Sequence, residues 1–142
     1  MNNKHDQHCK AIADKLESIA EGSLYKCPEC GEWIQWNDAQ YNEESAEYTC
    51  QECGAVFEES DLESVSFYDY FENMLDIDFV TTREKQYKAC RIMVAWGGPN
   101  IYINTWDKQV ELFWWTESGR AYIDSNTCDA IDEWAEEYFA CL

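Results

Sequence analysis

The sequence predicts an α+β fold: an N-terminal helix, a four-cysteine zinc-ribbon-like module, a linking helix, and a four-stranded antiparallel sheet covered by a C-terminal helix. Three observations predict it. Two Cys-x-x-Cys-Gly knuckles occupy residues 27–31 and 50–54, β-branched and aromatic residues alternate between 86 and 124, and apolar residues recur at helical spacing near both ends. With 46% apolar residues and seven Trp among 142, the chain can fill a core. The pattern divides it into residues 1–59, helix plus metal module, and residues 60–142, an α+β unit.

The first helix rests on Cys9, Ile12, Leu16 and Ile19 or Ala20 at helical spacing, with Gly22 as its stop. Residues 24–58 lose that period and read as short strands around turns, with Trp33, Ile34, Trp36, Tyr48, Val56 and Phe57 as apolar cover. Ser60-Asp61-Leu62-Glu63 reads as a capping box, and Phe67, Tyr70, Phe71, Met74 and Leu75 continue at helical spacing to about Asp76. Over 76–84 the pattern fades and a loop is expected. Alternation over 86–96 indicates a strand, broken by Gly97-Gly98-Pro99. Residues 100–105 and 110–116 flank a hairpin turn, and 120–124 supply another strand. Ser125 or Asn126 caps a last helix with Ile131, Trp134, Ala135, Tyr138 and Leu142 on one face. Trp114 and Trp115 point to opposite faces of a strand, so at least one of Trp106, Trp114 and Trp115 is expected outside the core. No internal repeat beyond the knuckles is visible.

Each knuckle places two thiolates together, and its Gly permits the tight turn that aims both sulfurs at one ion. Nineteen residues separate the pairs, the spacing of four-cysteine zinc sites. Cys27, Cys30, Cys50 and Cys53 are therefore the expected ligands of a structural Zn²⁺. Four thiolates saturate a tetrahedron, leave no position for water or substrate, and give the ion and its ligands a local charge of about −2. The two pentapeptides resemble rubredoxin knuckles, which implies iron as the alternative metal. His5, His8 and Cys9 share one helical flank without an identifiable fourth ligand and read as a partly solvated helix end. Cys90, Cys128 and Cys141 read as small buried hydrophobes.

The formal charge of −19 is spread along the chain: residues 1–60 hold four basic and thirteen acidic side chains, the remainder six and sixteen. From Cys27 to Thr82 there are fifteen Asp and Glu and no Lys or Arg. Such a charge opposes approach to phosphate backbones and anionic lipid and favours positive protein surfaces. Asp69, Glu72 and Asp76 on the linking helix, and Asp129, Asp132 or Glu133, and Glu136 on the last, form stripes at offsets of three and four. Like charges at these offsets cost a few tenths of a kcal/mol per pair, roughly, so packing must offset them. These acids are the candidate partner surface, and a solvated helix face is the plainer reading of either stripe alone.

There is no phosphate-binding Gly loop and no nucleophile elbow, and both histidines fall in the first eight residues, so no enzymatic activity is expected. The first 22 residues carry Asp6, Asp14, Glu17 and Glu21 without an apolar run, and Ile92 to Trp96 is too short to span a bilayer. A soluble protein of a bacterial host cytoplasm is expected, without a membrane partner.

Small size, acidity and a compact zinc knuckle together resemble the zinc-containing anti-CRISPR proteins of phages and mobile elements. That resemblance implies a non-catalytic inhibitor of a Cas9-type effector, whose nucleic acid lies in a positively charged channel. The acidic surface would occupy the channel and block DNA loading, with no direct nucleic-acid contact. Two other readings stand beside it: a zinc-ribbon adaptor that binds nucleic acid or transcription machinery, and a rubredoxin-like electron carrier.

Overall fold

A computed structural model describes residues 3–35 and 40–142. The expected apolar cover at Trp36 lies outside these residues. The fold is α+β, with antiparallel sheets throughout.

Helix α1 spans Lys4–Glu21. Asn3 and Asp6 cap it reciprocally, and Gly22 ends it at φ 72°, a conformation that favours a residue without Cβ. Its buried stripe is His5, Cys9, Ala13, Leu16 and Ile19. Short strands follow: β1 (Leu24–Lys26), β2 (Trp33–Gln35), β3 (Gln40–Asn42), β4 (Glu47–Thr49), β5 (Val56–Glu58) and β6 (Glu63–Ser64). They make two three-stranded sheets, ordered β2-β1-β6 and β3-β4-β5.

Helix α2 is only Phe67–Tyr70, far shorter than the linking helix expected to reach Asp76. Ser66, with Asp69, forms its capping box. The segment Ser60-Asp61-Leu62-Glu63, read as that box, instead closes a 3-10 turn at Glu59–Asp61, where Asp61 accepts from the Glu58 amide. A turn over residues 71–73 follows the helix, and Leu75 then donates its amide to the Met93 carbonyl as the chain enters a sheet. Phe71 still buries, at the end of this single turn.

The expected loop over 76–84 begins with strand β7 (Asp76–Thr81), so the large sheet has five strands and not four. Ile77 and Phe79 turn inward while Asp76, Asp78 and Val80 face water, an alternation that acids at every second position disguise as loop. The other strands are β8 (Tyr87–Ala95), β9 (Asn100–Asn104), β10 (Gln109–Trp114) and β11 (Glu117–Tyr122), in the order β11-β10-β9-β8-β7. β9 and β10 form the expected hairpin, Asn104 opposite Gln109.

Helix α3 (Ser125–Ala140) is capped by Asp124 through the Thr127 amide, and not by the expected Ser125 or Asn126. It buries Ile131, Trp134 and Ala135 as its pattern predicts, but Tyr138 and Leu142 stay exposed. α3 packs on β8, and α1 packs on β10 and β11 and touches α3. One core unites Leu16 and Ile19 with Ile92, Ile103, Val110, Leu112 and Ile131. A second, smaller core holds Cys27, Tyr48, Cys50 and Phe57, with Ile34 and Leu62 against it. By packing, then, α1 belongs with the large sheet, and the small core lies within residues 27–62. Among the described residues no helix is long and apolar enough to cross a membrane.

Candidate metal centre and acidic surface

The two knuckles are built alike. In the first, Gly31 donates its amide to the Cys27 carbonyl at 3.0 Å and the Cys27 amide bonds the Glu32 carbonyl at 2.8 Å; in the second, Gly54 bonds Cys50 at 2.8 Å and Cys50 bonds Ala55 at 2.9 Å. Both glycines lie in the left-handed region, Gly31 at φ 78° and Gly54 at φ 74°. Each turn thereby aims two sulfurs inward.

Between knuckles, the Cys27 and Cys53 sulfurs lie 3.7 Å apart and those of Cys30 and Cys50 3.8 Å apart. All four lie within 4.8 Å of one another. A tetrahedral ion with bonds of about 2.3 Å to sulfur requires sulfur separations of about 3.8 Å. The donor set and its spacing therefore fit one thiolate-bound metal ion. Cys27 and Cys50 are buried, while Cys30 and Cys53 are exposed, so the site sits at the edge of the small core. Burial pushes the Cys27 thiol up, but the Cys30 and Glu29 amides and the neighbouring thiols outweigh it and bring it to about 7. The Glu32 amide lowers Cys30, yet desolvation and three surrounding thiols prevail and push it to about 12. An incoming cation must displace that proton.

The other sulfur and imidazole groups form no such cluster among the described residues. Cys9 is buried, His8 is exposed, and His5 is buried with its Nε2 3.6 Å from a Glu117 oxygen. Cys90 and Cys128 are buried as expected, but Cys141, beyond the last turn of α3, is exposed.

The acids expected to form partner stripes separate into distinct roles. Asp69 caps α2 and lies 3.0 Å from Lys26 Nζ. Burial pushes its carboxyl up, but the Ser66 amide and Lys26 hold it below the ordinary range. Glu72 lies in the turn after α2, and Asp76 opens β7, so no helical stripe unites the three. Asp132 turns inward, accepting from the Tyr87 hydroxyl at 2.6 Å and the Thr105 hydroxyl at 2.7 Å. Asp129, Glu133 and Glu136 remain exposed along α3.

Beyond the two stripes the exposed acids are more numerous, in keeping with the stretch from Cys27 to Thr82 that lacks Lys and Arg. Between residues 27 and 63, Glu29, Glu32, Glu43, Glu44, Glu52, Glu58, Glu59, Asp61 and Glu63 all face solvent. Glu63 alone of these has a Lys within 4 Å among the described residues. Of the three tryptophans in question, Trp106 and Trp115 are exposed, and Trp114 is half-buried. Trp115 has left the strand for a turn at φ 57° and is 87% exposed. With Trp96, Pro99 and Phe113 it lines an open apolar pocket of about 280 Å³ at one end of the sheet.

Searches of protein-family models, curated proteins and solved structures give no match to this chain.

Proposed function

We propose that the protein is a non-catalytic acidic inhibitor that binds the basic nucleic-acid-binding surface of another protein, a Cas9-type defence nuclease, and blocks DNA loading. The observation that carries this reading is the solvent-facing acid set of the metal module. It spans a segment without a single positive side chain, next to a site whose bound ion and four thiolates would still be negative. Zinc is the proposed ion; it would fix the module's shape and leave no coordination position for chemistry. A positively charged channel attracts such a surface over the range at which charges steer association, whereas a phosphate backbone repels it.

Mixing the metal-loaded protein with a Cas9-type effector before adding DNA should give co-elution on size exclusion and protection of the DNA from cleavage. Absence of both at stoichiometric amounts overturns the reading. Elemental analysis of the purified protein tests the metal. Zinc supports the structural role, whereas iron with a coloured, reducible centre favours a rubredoxin-like electron carrier.

A further inference from the structure

The C-terminal half of α3, the last turn of α1 and helix α2 frame a groove of about 390 Å³. Its floor is apolar and well packed: Ile19 is 6%, Trp134 7% and Phe67 8% exposed. Its walls are different. Glu133 and Glu137 line one side, both exposed, and Tyr68 stands at 59% exposure on the other. The Tyr68 ring meets Trp134 edge-on, at 6.3 Å between centroids and 82°, and its hydroxyl donates to Glu137. That bond engages one Glu137 oxygen. Neither α1 nor α3 has a basic residue in its last turn, so nothing on either helix offsets the negative carbonyl end of its dipole there. Among the described residues, no Lys, Arg or His lines the groove.

An apolar floor beneath acidic walls and a negative helix end selects a side chain with an aliphatic stem and a cationic head. Arginine meets the description best, because its planar guanidinium can pair with a carboxylate and stack on an aromatic ring. We propose that this groove is the docking site for an arginine-bearing segment of the basic partner, with an apolar neighbour of that arginine seated over Ile19 and Trp134. The inference rests on the reading of the protein as a binder of basic surfaces and assigns that contact to one face of the molecule.

The test uses a fluorescein-labelled helical peptide with Arg and Leu on one face, titrated into the metal-loaded full chain by anisotropy. Two double variants remove equal charge: Glu133→Gln with Glu137→Gln in the groove, and Glu43→Gln with Glu44→Gln in the metal module. The groove pair should weaken binding about tenfold, the module pair by less than about twofold. Replacing the peptide's Leu by Ser should weaken it as well. Equal losses from the two pairs, or no binding to the wild type at about 1 mM, overturn the groove. The effector complex separates this from the wider reading. If both pairs reduce effector binding alike, the acidic-inhibitor reading stands without the groove. If the peptide result holds and no effector complex forms, the groove stands and that reading falls.

Discussion

Burial raises the Asp132 carboxyl above the ordinary carboxylate range, although the Tyr87 and Thr105 hydroxyls that donate to it pull it down. A raised native pKa means that the folded state holds this proton more tightly than the unfolded chain. The stability gained from the protonated form is present at low pH and is lost as pH rises through the native value. At neutral pH the charge is therefore a burden and the acceptor atoms are the benefit. Asp132→Asn, which keeps an acceptor, should leave stability near wild type at pH 7. Asp132→Ala takes the carboxylate acceptor from the half-buried Tyr87 hydroxyl, whereas Thr105 keeps the Cys90 carbonyl, and should cost about 1–3 kcal/mol. Urea unfolding at pH 7 separates the two; equal losses would contradict the account. Cys27 and Cys30 give a second pH dependence. With Cys27 near 7 and Cys30 pushed up to about 12, a metal ion must expel protons at pH 6. Zinc affinity, measured by competition with a chromophoric chelator, should rise with pH. The four-cysteine cluster was legible because two tight turns repeat one pentapeptide pattern. Asp132 was not, because helical periodicity places it beside Glu133 without revealing that strand hydroxyls wait opposite.

The helices divide the chain differently from its sequence pattern. The face of α1 was readable from Cys9, Ile12, Leu16 and Ile19, but its destination was not, because a stripe says that something covers it and not which sheet does. Leu16 and Ile131 are both fully buried in one core. Leu16→Ala should therefore destabilise the large sheet by about 2–5 kcal/mol, in the same range as Ile131→Ala, and lower the midpoint of the same cooperative transition. A substitution at Leu16 that loosened only the metal module would refute the shared core. Chelation makes the reciprocal test. Tyr48 and Phe57 stack at 6.0 Å in the small core beside Cys27 and Cys50. Stripping the ion from metal-loaded protein should abolish hydrogen-exchange protection in β4 and β5 while β8 to β10 retain theirs. β7 and α2 show where local pattern fails. Phe67, Tyr70, Phe71 and Met74 carry a helical period that a one-turn helix and the bend after it satisfy equally well. Asp76 and Asp78 are polar because β7 is an edge strand, where outward charge also discourages pairing with another chain.

Across the whole molecule, charge is present in large excess and unevenly balanced. The net −19 includes ten Lys and Arg, none of them between Cys27 and Thr82, and Lys26 at the border of that stretch lies close to Asp69 and Glu63. Two kinds of contact would then contribute to a complex with a basic partner, and salt distinguishes them. The module's solvent-facing acids act through water, where screening operates over about 8 Å at physiological ionic strength. An arginine held between the acidic walls of the groove would be partly shielded from that solvent and less sensitive to it. Raising NaCl from 50 to 300 mM should therefore weaken the effector complex by roughly tenfold or more, chiefly by slowing association. The Glu43→Gln and Glu44→Gln pair should flatten this salt dependence, because it removes charges that act through water. The Glu133→Gln and Glu137→Gln pair should mainly hasten dissociation, because it removes a seat for a side chain already in place. Stopped-flow association and surface-based dissociation measurements resolve the two rates. An effector complex whose affinity did not change with salt would show that apolar contact, such as the exposed Trp96 and Trp115, governs binding in place of the acidic surface.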